Sequence, residues 1–251
     1  MMHRPARRPF VLALGAALSL TLAACSETES AEGGAAGEPI AAIPAPEGTS
    51  WLDTATVTPE GGYVVGNPDA PLKLVEYASH TCGACAMFAT EGKPALKEEY
   101  IASGRVSLEQ REVFLNTFDV VIATLAQCGP TERMQPLSDE VWGNLQGVME
   151  GIQANQAAME QAAQLPLDQR FVGVAQATGL IDFFAARGLP ADQARECLSD
   201  SAAIEQMVSR AEREAQAAGV TGTPTFVLNG RKLDATQWGG VEPALQRAGA
   251  R

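Results

Sequence analysis

Cys82-Gly83-Ala84-Cys85 is the segment of this chain best suited to do chemistry. Two cysteines separated by two residues can meet on one helical turn, close a disulfide, and reopen it by thiolate attack. Their position matters more than the pattern. The pair follows Leu72-Lys73-Leu74-Val75-Glu76-Tyr77, which reads as a strand buried on both faces, and it precedes good helix content from Ala84 to Ala89. A cysteine at the first turn of such a helix meets free backbone N–H groups and the positive end of the dipole, both of which favour the thiolate. Cys82 is then the exposed nucleophile. Cys85, one turn further in, is the buried thiol that resolves a mixed disulfide. The spacing alone leaves three other readings open: a structural disulfide, half of a zinc site, and an incidental pair. Zinc needs further ligands, and beyond residue 24 the chain has one histidine, His80.

Three other positions bear on this chemistry. Thr223-Pro224 lies between a helix end at Gly219-Val220 and the strand candidate Thr225 to Leu228. It is either a plain trans proline opening a strand or a cis-proline loop against the cysteine pair, with exposed backbone for an extended substrate. Glu76 is a carboxylate inside an apolar strand, six residues before Cys82. Buried, it would resist ionisation and could exchange a proton with Cys85; at a strand end it would simply face solvent. His80 either tunes the thiolate or a substrate contact, or is a surface-loop histidine without a role. A Cys–His hydrolase would need an orienting partner and would leave Cys85 unexplained. Trp51, Trp142 and Trp238 read as packing residues.

Val75-Glu76-Tyr77, Thr81-Cys82-Gly83-Ala84-Cys85 and Gly222-Thr223-Pro224-Thr225-Phe226-Val227 together resemble the DsbA-like thiol–disulfide oxidoreductases of the thioredoxin superfamily. The resemblance covers about residues 60–250. It implies an α/β thioredoxin-like fold with an inserted helical subdomain, Cys82 as attacking cysteine, Cys85 as resolving cysteine, Pro224 as cis-proline and Glu76 as buried acid. It implies no cofactor beyond the Cys82–Cys85 disulfide itself. One departure matters: such oxidants often carry a histidine between the cysteines, and this chain has Gly83-Ala84. Fewer donors to the sulfur imply a higher Cys82 pKa and a less oxidising couple, about 30 mV for each tenfold change. Oxidase, isomerase and reductase directions stay open. A non-catalytic chaperone or a metal-handling protein on the same fold is the alternative.

The remaining elements set these residues in order. Tyr63 to Val65 and Val106 to Val113 read as strands. Pro94 should kink or restart the helix that follows Cys82. From about 115 to 218 the chain reads as helices: Val120 to Cys128, Ser138 to Gln156, Pro166 to Thr178, Pro190 to Leu198 and Ala202 to Ala218. Asn229-Gly230 is type I′ hairpin chemistry between Thr225 to Leu228 and Arg231 to Leu233, and Val241 to Arg247 closes the chain. Cys128 and Cys197 fall in the helical insertion. They read as an internal bridge, as two free buried thiols, or as an electron relay. A bridge closing about 70 residues would contribute roughly 4 kcal/mol.

The N-terminus reads as an export signal. Arg4, Arg7 and Arg8 precede a short apolar run from Phe10 to Leu22, too short to span a bilayer comfortably. The run ends in Leu22-Ala23-Ala24-Cys25, which resembles the lipobox of bacterial lipoproteins, with Cys25 lipidated; Arg7-Arg8 also partly resembles a twin-arginine signal. The expected organisation is a signal peptide over 1–24, a lipidated flexible tether over 25–50, and a domain over 51–251. The expected location is the bacterial cell envelope, facing the periplasm. The expected partners are exported protein thiols and disulfides, a membrane or periplasmic redox partner, and the membrane itself, with a monomer as default. The net charge of −12, which becomes −15 once residues 1–24 and their three arginines are removed, argues against nucleic acid.

Overall fold

The strand Leu72–Ala78 is the axis of the molecule in the computed structural model, which describes residues 37–251. Leu72, Leu74, Glu76 and Ala78 on one face are buried, Leu72 and Leu74 beneath the helical crossover, whereas on the other face Tyr77 is buried, Val75 half-buried and Lys73 exposed, so the burial on both faces read from the sequence is only partial. The strands are β1 (Ala55–Val57), β2 (Tyr63–Gly66), β3 (Leu72–Ala78), β4 (Val106–Glu112), β5 (Thr225–Leu228) and β6 (Arg231–Lys232), forming one sheet in the order β1-β2-β4-β3-β5-β6. β3 runs parallel to β4, from Leu72 opposite Val106 to Ala78 opposite Glu112. It runs antiparallel to β5, with Glu76 opposite Phe226 and Tyr77 opposite Thr225. This register brings the C-terminal end of β3 and the start of β5 to the same end of the sheet, where the cysteine pair and Thr223-Pro224 lie.

Parallel neighbours need a crossover, and helical chain from Gly83 to Ile101 supplies it. Pro94 has no N–H to give to an earlier carbonyl. The chain passes it with wide, i→i+5 turns at Phe88–Gly92 and Leu96–Ile101, on either side of the regular turn Lys93–Ala95. One face of this crossover buries Phe88, Leu96 and Ile101 against Leu74, Leu108 and Phe226 of the sheet.

The insertion between β4 and β5 comprises Thr117–Ala126, Met134–Gly143, Leu145–Ala154, Gln156–Ala162, Leu167–Ala177, Leu180–Ala185, Ala191–Ser199 and Ser201–Ala217. It has a core of its own around Val121, Leu125, Met134, Phe184 and Leu198. The single helix expected over Ser138 to Gln156 is broken at Asn144, whose backbone (φ −118°, ψ 20°) leaves the helical region. β1, Gln156–Ala162 and Leu180–Ala185 are too short to leave a periodic signature. The hairpin turn has positive φ at both Asn229 (47°) and Gly230 (77°), as a type I′ turn requires. Asn229 also accepts from the Lys73 N–H at 2.7 Å and donates to the Pro71 carbonyl at 3.0 Å, tying the hairpin to the start of β3.

Residues 37–50 depart from the flexible tether read over 25–50. The Gly37 N–H donates to the Arg247 carbonyl (2.7 Å), Ile40 to Gly249 (2.9 Å) and Ile43 to Ser103 (2.9 Å), while Trp51 Nε1 donates to Ile43 (2.7 Å). Ile40 packs on the sheet-side core. Prolines and small residues masked this in the sequence, because the segment is held by its backbone rather than by an amphipathic pattern. The signal peptide, Cys25 and the first part of the tether lie outside the described residues.

Candidate active site

Cys82 caps the helix Gly83–Met87. Its backbone is extended (φ −84°, ψ 117°) and its sulfur accepts the Cys85 N–H at 3.3 Å. Cys82 is half-buried, Cys85 is completely buried, and both are free thiols. The same hydrogen bonding acts on them with opposite sign. Donation from Cys85, opposed by burial and helped by the Thr223 side chain and the backbone N–H groups of Cys85 and Ala84, lowers the Cys82 pKa from 9.0 to about 5. The Cys82 interaction, burial and the charge of Glu76 hold Cys85 far above the usual thiol range. The outer sulfur is therefore a thiolate at neutral pH and the inner one a thiol.

The Thr223–Pro224 peptide bond is cis, and the Thr223 carbonyl lies 3.3 Å from Cys82 Sγ. This carbonyl accepts from the thiol form of Cys82 and so resists the thiolate that the N–H groups favour. Thr225 Oγ1 donates to the Gly222 carbonyl at 2.7 Å, which fixes the turn.

Beneath the dithiol lies a buried polar layer. Glu76 is fully buried, and neither of its carboxyl oxygens has a well-aimed hydrogen-bond donor. Lys93 Nζ stands 3.3 Å from Glu76 Oε2 and donates at 3.2 Å to Asp139 Oδ1, while Lys97 Nζ lies 2.5 Å from Asp139 Oδ2. Burial raises the Glu76 pKa despite Lys93. Burial opposes the charged form of Lys93, but Asp139 and Glu76 outweigh it and raise its pKa. Burial likewise opposes the Asp139 carboxylate, yet Lys93 and Lys97 hold it below its usual range. Lys93 and Asp139 thus form the settled ion pair, because Asp139 keeps contact with water and has two lysines. Glu76, dry and poorly bonded, is left ready to hold a proton.

The sequence reading gives Cys82, Cys85, Glu76, Thr223 and Pro224 as site candidates, and the fold gathers them at one end of the central strands β3 and β5. It missed Lys93, Asp139 and the burial of His80. Lys93 carries no signal of burial. Asp139 and Trp142 arrive from Met134–Gly143, far along the chain. His80 is fully buried rather than in a surface loop. Trp142 packs there as anticipated: its Nε1 donates to the Ser79 carbonyl (3.1 Å), and Lys93 Nζ lies 4.1 Å from its ring centroid. Cys128 and Cys197 are joined to each other, 69 positions apart, within the insertion core and away from the dithiol.

Residues 58–247 match the thioredoxin family profile. The chain belongs to the thioredoxin family. Within it, the chain is 23% identical over 190 residues to a Rickettsia bellii protein that bears the provisional name protein-disulfide oxidoreductase; the match covers 75% of this chain and 65% of that protein. The chain therefore spans just under two thirds of that relative's length. Among solved structures, the protein-disulfide isomerase of Novosphingobium aromaticivorans superposes with a TM-score of 0.67 at 26% identity, covering 72% of this chain and 94% of that one. The α-DsbA1 of Wolbachia pipientis superposes with a TM-score of 0.60 at 20% identity, covering 77% and 94%. The fold is thus that of the DsbA-type thioredoxins, a central sheet with an inserted helical subdomain.

Proposed function

We propose that this chain is a thiol–disulfide oxidoreductase acting on exported proteins. The observation that carries the reading is the split of one dithiol into a half-buried thiolate and a buried thiol. A substrate disulfide is attacked by the Cys82 thiolate, giving a mixed disulfide. Cys85 then loses its proton to the Glu76 carboxylate and attacks Cys82 Sγ, releasing the reduced substrate and closing the Cys82–Cys85 disulfide. In the other direction a substrate thiolate opens that disulfide at Cys82, and Glu76 returns the proton to Cys85. Substrate main chain lies along the Thr223 loop. Met87 and Leu115, both exposed large apolar side chains, offer contacts to an unfolded polypeptide. Leu115 is tied to the cysteine turn through Asp119, which accepts from the N–H groups of Leu115 (2.8 Å) and Thr81 (2.9 Å).

A Cys82 pKa of about 5 lies between those of thioredoxin (about 7) and of DsbA (about 3.5). We accordingly place the couple between the roughly −270 mV of thioredoxin and the roughly −120 mV of the strong oxidant. Equilibration of the protein with glutathione buffers reads this directly. A value inside the interval supports an oxidant of intermediate strength, and the absence of any reversible couple removes the function.

Export and lipid anchoring rest on Leu22-Ala23-Ala24-Cys25 and the segment before it. Two signals usually hold a protein stably on a membrane, and a lipobox supplies more than one acyl chain at once. Fractionation tests the anchor: Cys25→Ala should move the protein from the membrane pellet to the soluble fraction of the envelope. An unchanged distribution would refute anchoring at that residue.

A further inference from the structure

His80 stands two residues before Cys82, and the exchange steps above make no use of it. Its Nε2 lies 2.9 Å from Ser138 Oγ and its Nδ1 lies 3.3 Å from Glu112 Oε2. Its ring stacks on Trp142, with centroids 5.1 Å apart and planes 15° from parallel. Glu112 is buried as well, and neither its Oε2 nor His80 Nδ1 has an aligned hydrogen-bond partner. Burying an acid beside a base with that contact unaligned is costly, so the arrangement calls for an explanation beyond packing. Its position supplies one. Trp142, on which the ring stacks, packs in one small cluster with Cys85 and Cys82, so charge on the dithiol reaches the imidazole through a buried medium that screens poorly.

We propose that His80 and Glu112 form a redox-linked proton site, in which His80 takes up a proton when the Cys82–Cys85 disulfide is reduced and releases it when the disulfide re-forms. This rests on the oxidoreductase reading. A substrate dithiol becoming a disulfide gives up two electrons and two protons. The electrons break the Cys82–Cys85 S–S bond. Cys82 stays a thiolate, Cys85 takes one proton, and His80 takes the other. The resulting imidazolium is paired with the Glu112 carboxylate, and its charge offsets that of the Cys82 thiolate.

Ser138 can serve both states of the ring. Its hydroxyl donates to Nε2 when that nitrogen is bare. When Nε2 carries a proton, Ser138 accepts it and turns its own hydrogen toward Met134 Sδ, 3.8 Å away. Gln110 Nε2 donates to Ser138 Oγ at 3.2 Å in either case. The charges around the ring come from several elements. Glu112 faces it from β4, and Glu76 lies deeper on β3. Lys93 of the crossover and Asp139 of Met134–Gly143 lie beyond Trp142. Asp119 of Thr117–Ala126 holds the same turn through Ser79 at 2.9 Å. Lys93 opposes a second positive charge; Glu112 and the thiolate favour it.

The test follows the His80 ring nitrogens by NMR against pH in the full chain, oxidised and reduced, and counts protons taken up per two electrons from the pH dependence of the glutathione equilibrium. At a given pH the reduced protein should show more of the charged ring than the oxidised one. Where the ring titrates, the wild type should approach two protons per two electrons; two glutathione thiols release two as well, so the exchange constant should become nearly independent of pH. His80→Gln and Glu112→Gln should bring the count back toward one proton, so that the exchange constant rises about tenfold per pH unit, or about 30 mV. A purely structural role would change stability and leave the count alone. Identical ring titrations in the two redox states, or an unchanged count in folded variants, overturns the proposal. If neither variant folds, the wild-type ring titrations decide. A wild type with no reversible couple is a different result, which refutes the oxidoreductase reading itself.

Discussion

Cys85→Ala should convert exchange into capture: turnover falls to background, and the protein accumulates as a mixed disulfide through Cys82. The inner thiol is completely buried at the sulfur-facing turn of the helix, and no other free cysteine among the described residues can replace it as resolving group. Cys82→Ser should remove both turnover and capture. The pH dependence sharpens the expectation. Thiolate is the reacting form. Alkylation of reduced wild-type Cys82 should therefore hold constant from pH 7 down toward 5, then fall about tenfold for each further pH unit, as the pKa of about 5 is crossed. Donation from Cys85 is the largest influence lowering that pKa. In Cys85→Ala this donor is gone, and the midpoint of the alkylation profile should move to higher pH. Iodoacetamide rates measured across pH on both proteins check this. An unmoved midpoint would mean that the backbone N–H groups alone hold the thiolate, and turnover retained by Cys82→Ser would refute the mechanism outright.

Replacing both Cys128 and Cys197 with alanine should destabilise the full chain by about 4 kcal/mol in the chain-entropy account of a closed loop of this length. The bridge joins the end of Thr117–Ala126 to Ala191–Ser199, two helices that share the insertion core. Its loss frees the unfolded chain more than it disturbs folded contacts. Urea unfolding should show it twice: a lower midpoint, and a steeper dependence on denaturant because the unfolded chain exposes more surface. A shift well under 1 kcal/mol would show that the insertion core, not the bridge, sets the stability of this half. The dithiol potential should be unchanged, since the bridge lies in a core separate from the cluster around Cys85.

The central strand, the helix after it and the closing hairpin were all legible because each has a local mark: an apolar run, a dithiol before alanines, an Asn-Gly turn. Glu76 was legible as a carboxylate where apolar residues should be. Lys93 was not, because a lysine in a helix ordinarily faces water, and only the docking of Met134–Gly143 over the crossover buries it. The wide turns around Pro94 also move it off the face that regular helical spacing would give. His80 failed for the same reason: the ring that covers it belongs to Trp142, 62 positions later in the chain. Residues 37–50 failed because backbone hydrogen bonds leave no imprint on composition.

The contact between Cys82 and Thr223 spans 141 positions, with the entire helical insertion between them. Closing so long a loop is entropically slow, and the strand pairing that brings Thr223 into place is among the most distant in the molecule. The insertion, with its own apolar core, can condense before β5 docks. During that interval the nascent protein holds the Cys82 helix turn, half of its eventual surroundings, and two cysteines still to be joined. Cys82 then competes with Cys128 and Cys197 for the same bond, inside one polymer where local concentration is high. The order in which these contacts close decides whether the first disulfide this molecule exchanges is its own.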